Sequence, residues 1–137
     1  MAETFKLEIA TPTKLVLEED VTSAEIPGNN GYLGILPDHA PLLGLLGAGV
    51  LTYTHKDKKN YLAVDSGFIE VLDNSVRVLA ERADFAKTIS LDAARKELAD
   101  AQNAMDHPGE DANYEALVED VKQAQARIDA AQKETPA

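Results

Sequence analysis

The sequence contains no cysteine, so neither a disulfide framework nor a thiolate metal site can hold it together. That excludes a small secreted scaffold and a zinc finger and fits a reducing compartment. Basic residues are scarce, 13 Lys and Arg against 24 Asp and Glu, for a formal charge of −11. Binding to a nucleic acid backbone depends on clustered cations and the counterions they release, so nucleic acid is not an expected partner. No apolar run approaches the ~18 to 20 residues that span a bilayer. The opening stretch has Lys6 as its only basic residue, beside Glu3 and Glu8, and reads as neither a signal nor a transit peptide. Catalytic constellations are missing as well. His39, His55 and His107 fall in separate turn-rich segments, with no i,i+4 histidine partner and no nearby serine nucleophile.

What is present divides near residue 84. Of 137 residues, 45% are hydrophobic, and the length predicts one domain or one and a fraction. Residues 1–84 hold seven of the eight Gly and four of the six Pro, whereas 85–137 hold 13 of the 21 Ala. Apolar residues alternate in the first part: Phe5, Leu7 and Ile9; Leu15 and Leu17; Val50, Thr52 and Thr54 against Leu51 and Tyr53; Val76 and Val78. A period of two means strands with one buried face. Turn residues separate them at Pro27 to Gly31, His55 to Asn60 and Asp73-Asn74, the last between two runs that read as a hairpin. Glu18-Glu19-Asp20 reads as a solvated turn. Many short strands predict an antiparallel, flattened β-sandwich or a partly closed barrel over 1–84.

After a linker at 85–90, the period becomes helical. Leu91, Ala94, Leu98, Ala101 and Met105 step by three and four behind a capping Ser90, and Asp106 to Gly109 stops the run. Beyond Asn113, a second cap, Tyr114, Leu117, Val121, Ala124, Ile128 and Ala131 repeat the pattern. Two narrow seams predict an antiparallel hairpin over 91–137, with helices of ~16 and ~20 residues. Alanine at alternate seam positions buries little area, so the seams stabilise weakly. Such a hairpin either moves or packs permanently on the sheet.

Other chemistry is thin. Asp106, His107, Glu110 and Asp111 gather possible metal ligands, but a polar helix connector accounts for them, and no metal is expected. Glycines 28, 31 and 34, and 44, 47 and 49, lack the Lys-Ser or Lys-Thr of a phosphate loop. The segment Gly31-Tyr32-Leu33-Gly34-Ile35-Leu36-Pro37-Asp38-His39-Ala40-Pro41-Leu42-Leu43 is too rigid and apolar for an ordinary exposed loop; it is core or a docking surface.

This segment resembles the epsilon subunit family of F-type ATP synthases, which carries Gly-x-x-Gly-Ile-Leu-Pro-x-His-Ala-Pro-Leu. Ile9-Ala10-Thr11-Pro12, Ala63 to Val71 and Val78 to Ala83 agree with the family pattern, and Tyr32 departs from its usual acidic residue. The resemblance implies a non-catalytic rotor subunit held at the cytoplasmic face of a bacterial inner membrane through protein partners. Its sandwich would meet the gamma stalk and the c-subunit ring through Tyr32, Ile35, Leu36, Pro37, His39, Ala40, Pro41, Leu42 and Leu43. Its hairpin would fold beside the sandwich or extend along gamma toward the alpha and beta subunits and hinder ATP hydrolysis. No cofactor is required. Some members bind regulatory ATP through Ile/Leu-Asp-x-x-Arg-Ala; Leu91, Asp92 and Arg95 match here, Lys96 replaces the Ala, Glu81 and Arg127 occupy similar places, and Gln123 stands where a further arginine is expected. The resemblance therefore implies weak ATP binding. The same residues also read as an Asp92–Lys96 helix pair with Arg95 and Arg127 facing solvent. A nucleotide-sensing adaptor outside the ATP synthase is the rival function.

Overall fold

The structure, a computed structural model, describes residues 2–134; residues 135–137 of the expected hairpin lie outside the described residues. Eight strands come first: β1 (Phe5–Thr11), β2 (Lys14–Val21), β3 (Ser23–Gly28), β4 (Gly31–Ile35), β5 (Leu42–Leu46), β6 (Gly49–His55), β7 (Lys58–Leu72) and β8 (Ser75–Phe85). Alternation decides their faces as expected. Phe5, Leu7 and Ile9 of β1 and Val76 and Val78 of β8 enter one core with Ile26, Ile35, Leu51, Leu62 and Ile69. The strands run in the order β2-β1-β8-β7-β5-β3-β4, and β6 pairs with both β3 and β7. Thus β6, β7, β5 and β3 each bond the next and the last returns to the first, closing part of the flattened sandwich. Pairing is antiparallel apart from β1 with β8, which is parallel.

Two hairpin turns follow from positive φ. Lys56 (50°) and Asp57 (64°) join β6 to β7, and Asp73 (50°) and Asn74 (58°) join β7 to β8, in the sense that matches the twist of the strands they connect. Asn74 also ties neighbouring chain down: its Nδ2 donates to the Thr4 carbonyl at 2.9 Å, and its Oδ1 accepts from the Asp38 amide at 2.9 Å. Glu18-Glu19-Asp20 is not a turn. It lies within β2, where Glu18 pairs with Lys6 at 2.8 Å and Glu19 with His55 at 2.9 Å. On an edge strand, carboxylates can point to solvent and still be part of the sheet, which the charge run concealed.

The long strands β7 and β8 change faces together. Leu62 and Val64 point into the sandwich core, but beyond Gly67 it is Ile69 and Val71 that do so; on β8 the set shifts from Val76, Val78 and Ala80 to Ala83. Register is kept throughout, from Leu62 opposite Phe85 to Leu72 opposite Ser75. The shift occurs at Ser66 (φ 43°) and Gly67 (φ 157°). A Cβ on Gly67 would stand 1.7 Å from the Leu79 carbonyl oxygen. Only glycine lets β8 approach there.

Strand β8 runs to Phe85, and the expected linker is packed: a 3-10 turn at Ala86–Thr88 buries Ala86, and Ile89 is buried after it. Helices α1 (Leu91–Asp106) and α2 (Tyr114–Glu134) then form an antiparallel hairpin of 16 and 21 residues. Both expected caps are in place, Ser90 Oγ accepting from Ala93 N and Asn113 Oδ1 from Ala116 N, each at 3.2 Å. The hairpin lies against the sheet. Val50 and Ala63 pack with Ala86, Ile89, Ala94, Ile128, Ala130 and Ala131 in a second, smaller core. The far ends of the seams are not buried: Met105 and Tyr114 are exposed, because the hairpin is longer than the sheet it rests on. Ala126 and Ala130, outside the expected seam, are buried instead, so α2 carries one apolar stripe toward α1 and another toward the strands.

Candidate functional site

The 31–43 segment divides between inside and outside. Ile35 is 1% exposed and lies in the core, with Leu42 and Leu33 packed against it from the side. Tyr32, Leu36, Ala40, Pro41 and Leu43 are exposed, and Leu43 is 74% so. Pro37 and His39 are intermediate, the His39 Nδ1 lying 2.7 Å from the Ala40 carbonyl oxygen. The Tyr32 hydroxyl accepts from the Val50 amide at 3.0 Å, which holds it close against Gly49. Ile35 therefore supports the segment from beneath. Leu36 lines a groove with Tyr61 and Lys133 beside the end of α2, whereas Leu43 and Leu45 belong to a different face.

That second face carries an apolar surface of its own, most of it outside the 31–43 segment. Sheet register places Leu45 opposite Phe68, Phe68 opposite Leu79, Leu79 opposite Ala10 and Ala10 opposite Leu15. All four of the large side chains in that row are exposed, Phe68 at 54%, and Leu43 and Leu72 extend the patch. Apolar groups thus occupy solvent-facing positions on five adjacent strands, the kind of contiguous patch that suits a partner. The signal was in the sequence: Phe68-Ile69 and Val78-Leu79-Ala80 are apolar at both parities, which a strand with one solvated face is not.

Between sheet and hairpin lies a charged cluster. Arg127 of α2, only 16% exposed, pairs with Asp84 of β8 and places its Nε 3.2 Å from Glu97 Oε2 of α1, at an angle too poor for a hydrogen bond. Arg82 donates to Asp84 at 3.2 Å and to Glu97 at 3.1 Å. Burial opposes the Arg82 charge, but the two carboxylates more than offset it and its pKa is raised. Asp65, directly across from Arg82 in register, is 6% exposed; burial pushes its pKa up to about 6, against the pull of Arg82 and with the help of Glu119, Asp84 and Glu81.

The residues with nucleotide-like spacing differ in their surroundings. Asp92, Arg95 and Glu81 are exposed, Leu91 packs into the second core, and Arg127 is held by two carboxylates. Lys96 pairs with Asp100 at 2.8 Å and not with Asp92. A phosphate reaching Arg127 would have to displace Asp84 and Glu97 and enter a cluster dominated by acids, so the docked arrangement does not fit a triphosphate. Among the described residues no group of three or more His, Asp or Glu is placed to hold a metal ion, and no helix is long and apolar enough to cross a membrane.

The beta-sandwich domain family of the ATP synthase Delta/Epsilon chain matches residues 4–86. The chain is 41% identical over 133 residues to the ATP synthase epsilon chain of Solibacter usitatus, covering 97% of this chain and 99% of that one. It is 47% identical over 96 residues to that of Koribacter versatilis, with 70% and 68% covered, and 37% identical over 101 residues to that of Leptospira interrogans, with 74% and 80% covered. A chain in the mitochondrial ATP synthase of Euglena gracilis has the same fold, with a TM-score of 0.83 at 22% identity over 96% of this chain and 82% of that one.

Proposed function

The chain belongs to the delta/epsilon family of ATP synthase chains, in its epsilon branch, and from that premise we propose that it is a non-catalytic central-stalk subunit. In this reading its sandwich joins the gamma stalk to the ring of c subunits, and its hairpin regulates ATP hydrolysis by leaving the sheet and reaching toward the alpha and beta subunits. It is held at the cytoplasmic face of the membrane only through these partners.

The observation that carries the proposal is the separation of the two apolar surfaces. The row Leu45, Phe68, Leu79 and Leu15 is open to solvent, while the hairpin covers Val50, Ala63 and their neighbours on another part of the sheet. Docking and regulation can then proceed on different faces. Burial of a large aliphatic or aromatic side chain is worth ~1.5 to 3 kcal/mol, so a partner covering that row would gain enough to hold the sandwich, whereas the alanine-rich hairpin contact is weaker and can be given up.

The test is a chain ending after about residue 88, reconstituted with the remaining subunits. The sandwich should still assemble with gamma and the c-ring, ATP synthesis should persist, and hydrolysis should change. A folded truncated chain that fails to join the stalk would refute the docking role. Unchanged hydrolysis under all nucleotide and proton-motive conditions would refute the regulatory one.

A further inference from the structure

We propose that the contact between hairpin and sandwich is a proton-linked latch: Asp65, lying on the sheet beneath α2, accepts docking as the neutral acid and opposes it as the carboxylate. The latch rests on the reading of the hairpin as an element that leaves the sheet, and gives that movement a controlling proton.

Geometry singles out this residue. Asp65 is the one buried carboxylate among the described residues. It shares the hairpin-facing parity of β7 with Tyr61 and Ala63, which pack into the second core. Its side chain makes no hydrogen bond or ion pair of its own among the described residues, because the arginine across from it is engaged elsewhere: Arg82 is turned to Asp84 and Glu97. The charged groups around it come from three elements. Glu81, Arg82 and Asp84 stand on β8, Glu119 and Arg127 on α2, and Glu97 on α1, while the facing end of β6, Gly49 and Val50, brings none. Acids outnumber arginines, and both arginines are already paired. A carboxylate there keeps little water and forms no ion pair, Arg82 acting on it only from a distance, so a proton is its readiest compensation.

The direction follows from linkage. Docked, the group titrates near 6; with the hairpin lifted it regains water, loses Glu119 and returns toward its ordinary value of 3.8. The docked form binds the proton more tightly, so acid favours docking, and the advantage is lost as pH rises through about 6. Between about pH 5 and pH 7.5 the opening equilibrium should rise about tenfold.

A thiol reports opening cleanly because the chain has no cysteine. Val50 is 6% exposed and shares the second core with Ile128 and Ala130, so Val50→Cys in the full chain reacts far faster with a pyridyl disulfide once α2 lifts. Rates are divided by those of an exposed control, Leu43→Cys, at each pH. The expected result is the tenfold rise in the otherwise native chain and a nearly flat profile when Asp65→Asn is added. The same rise in both chains, or none in the native one, overturns the latch and leaves the regulatory reading standing. No labelling at any pH overturns both. Should Val50→Cys fail to fold, hydrogen exchange of the α2 amides, compared between the native and Asp65→Asn chains at each pH, gives the same decision.

Discussion

Arg127 of α2 hydrogen-bonds Asp84 of β8 across 43 residues of chain, and this one contact joins the last helix to the last strand. Around it Glu97 reaches both Arg127 and Arg82, so both helices are tied to the strand by the same few charges. Where the alanine contacts contribute little area, such a charged clasp fixes where the hairpin rests, and a change at any member should be felt as altered docking before it is felt as unfolding.

Replacing Arg127 by Ala leaves Asp84 and Glu97 with Arg82 as their one shared cation. The two carboxylates are about one-third exposed, so water screens part of the loss, and a cost of about 1–2 kcal/mol is expected. A double-mutant cycle with Asp84→Ala, read by urea denaturation, should return a coupling near 1 kcal/mol; a coupling under about 0.3 kcal/mol would mean the two act independently.

Gly67→Ala should be far more damaging than its size suggests. The added methyl would lie 1.7 Å from the Leu79 carbonyl oxygen, and the strand cannot retreat without breaking its pairing with β8. A loss of more than about 2 kcal/mol is expected, with the midpoint of urea unfolding shifted accordingly. Gly109→Ala, where nothing lies within 4 Å, is the control and should leave the midpoint almost unchanged.

Phe68→Ser combined with Leu79→Ser should separate folding from assembly. Both side chains are exposed, so stability should stay within about 0.5 kcal/mol of the native chain. Capture of the gamma stalk and c-ring should be lost. Retained capture would mean that the apolar row is not the docking face.

Calorimetric titration with ATP should give a weak signal at most in the docked form, since Arg127 is already ion-paired with Asp84 and Glu97. The sensitive comparison is with Arg95→Ala and Arg127→Ala. Heat abolished by both would establish a site at these arginines, and heat that survives both would place any binding elsewhere. A ligand shifts the hairpin only by its differential affinity for the two positions, so a weak binder can regulate only a nearly balanced equilibrium.

Much of this molecule was decided by local sequence. Strand faces follow from alternation in Phe5-Leu7-Ile9 and Val76-Val78, helix starts from Ser90 and Asn113, and the β7–β8 turn from Asp73-Asn74, because each depends on residues a few positions apart. Tertiary structure decided the rest. The coordinated change of face at Ser66 and Gly67 needs two strands to kink together, and the run Glu18-Glu19-Asp20 belongs to a strand because β1 pairs with it. The exposed row from Leu45 to Leu15 exists only once five strands are in register. Arg127 carried the spacing of a phosphate ligand, yet it is claimed by Asp84 and Glu97, residues 43 and 30 positions away. Periodicity records which way a side chain leaves its own backbone; which charge it meets is fixed only when distant segments are packed together, and that packing is what buries Asp65.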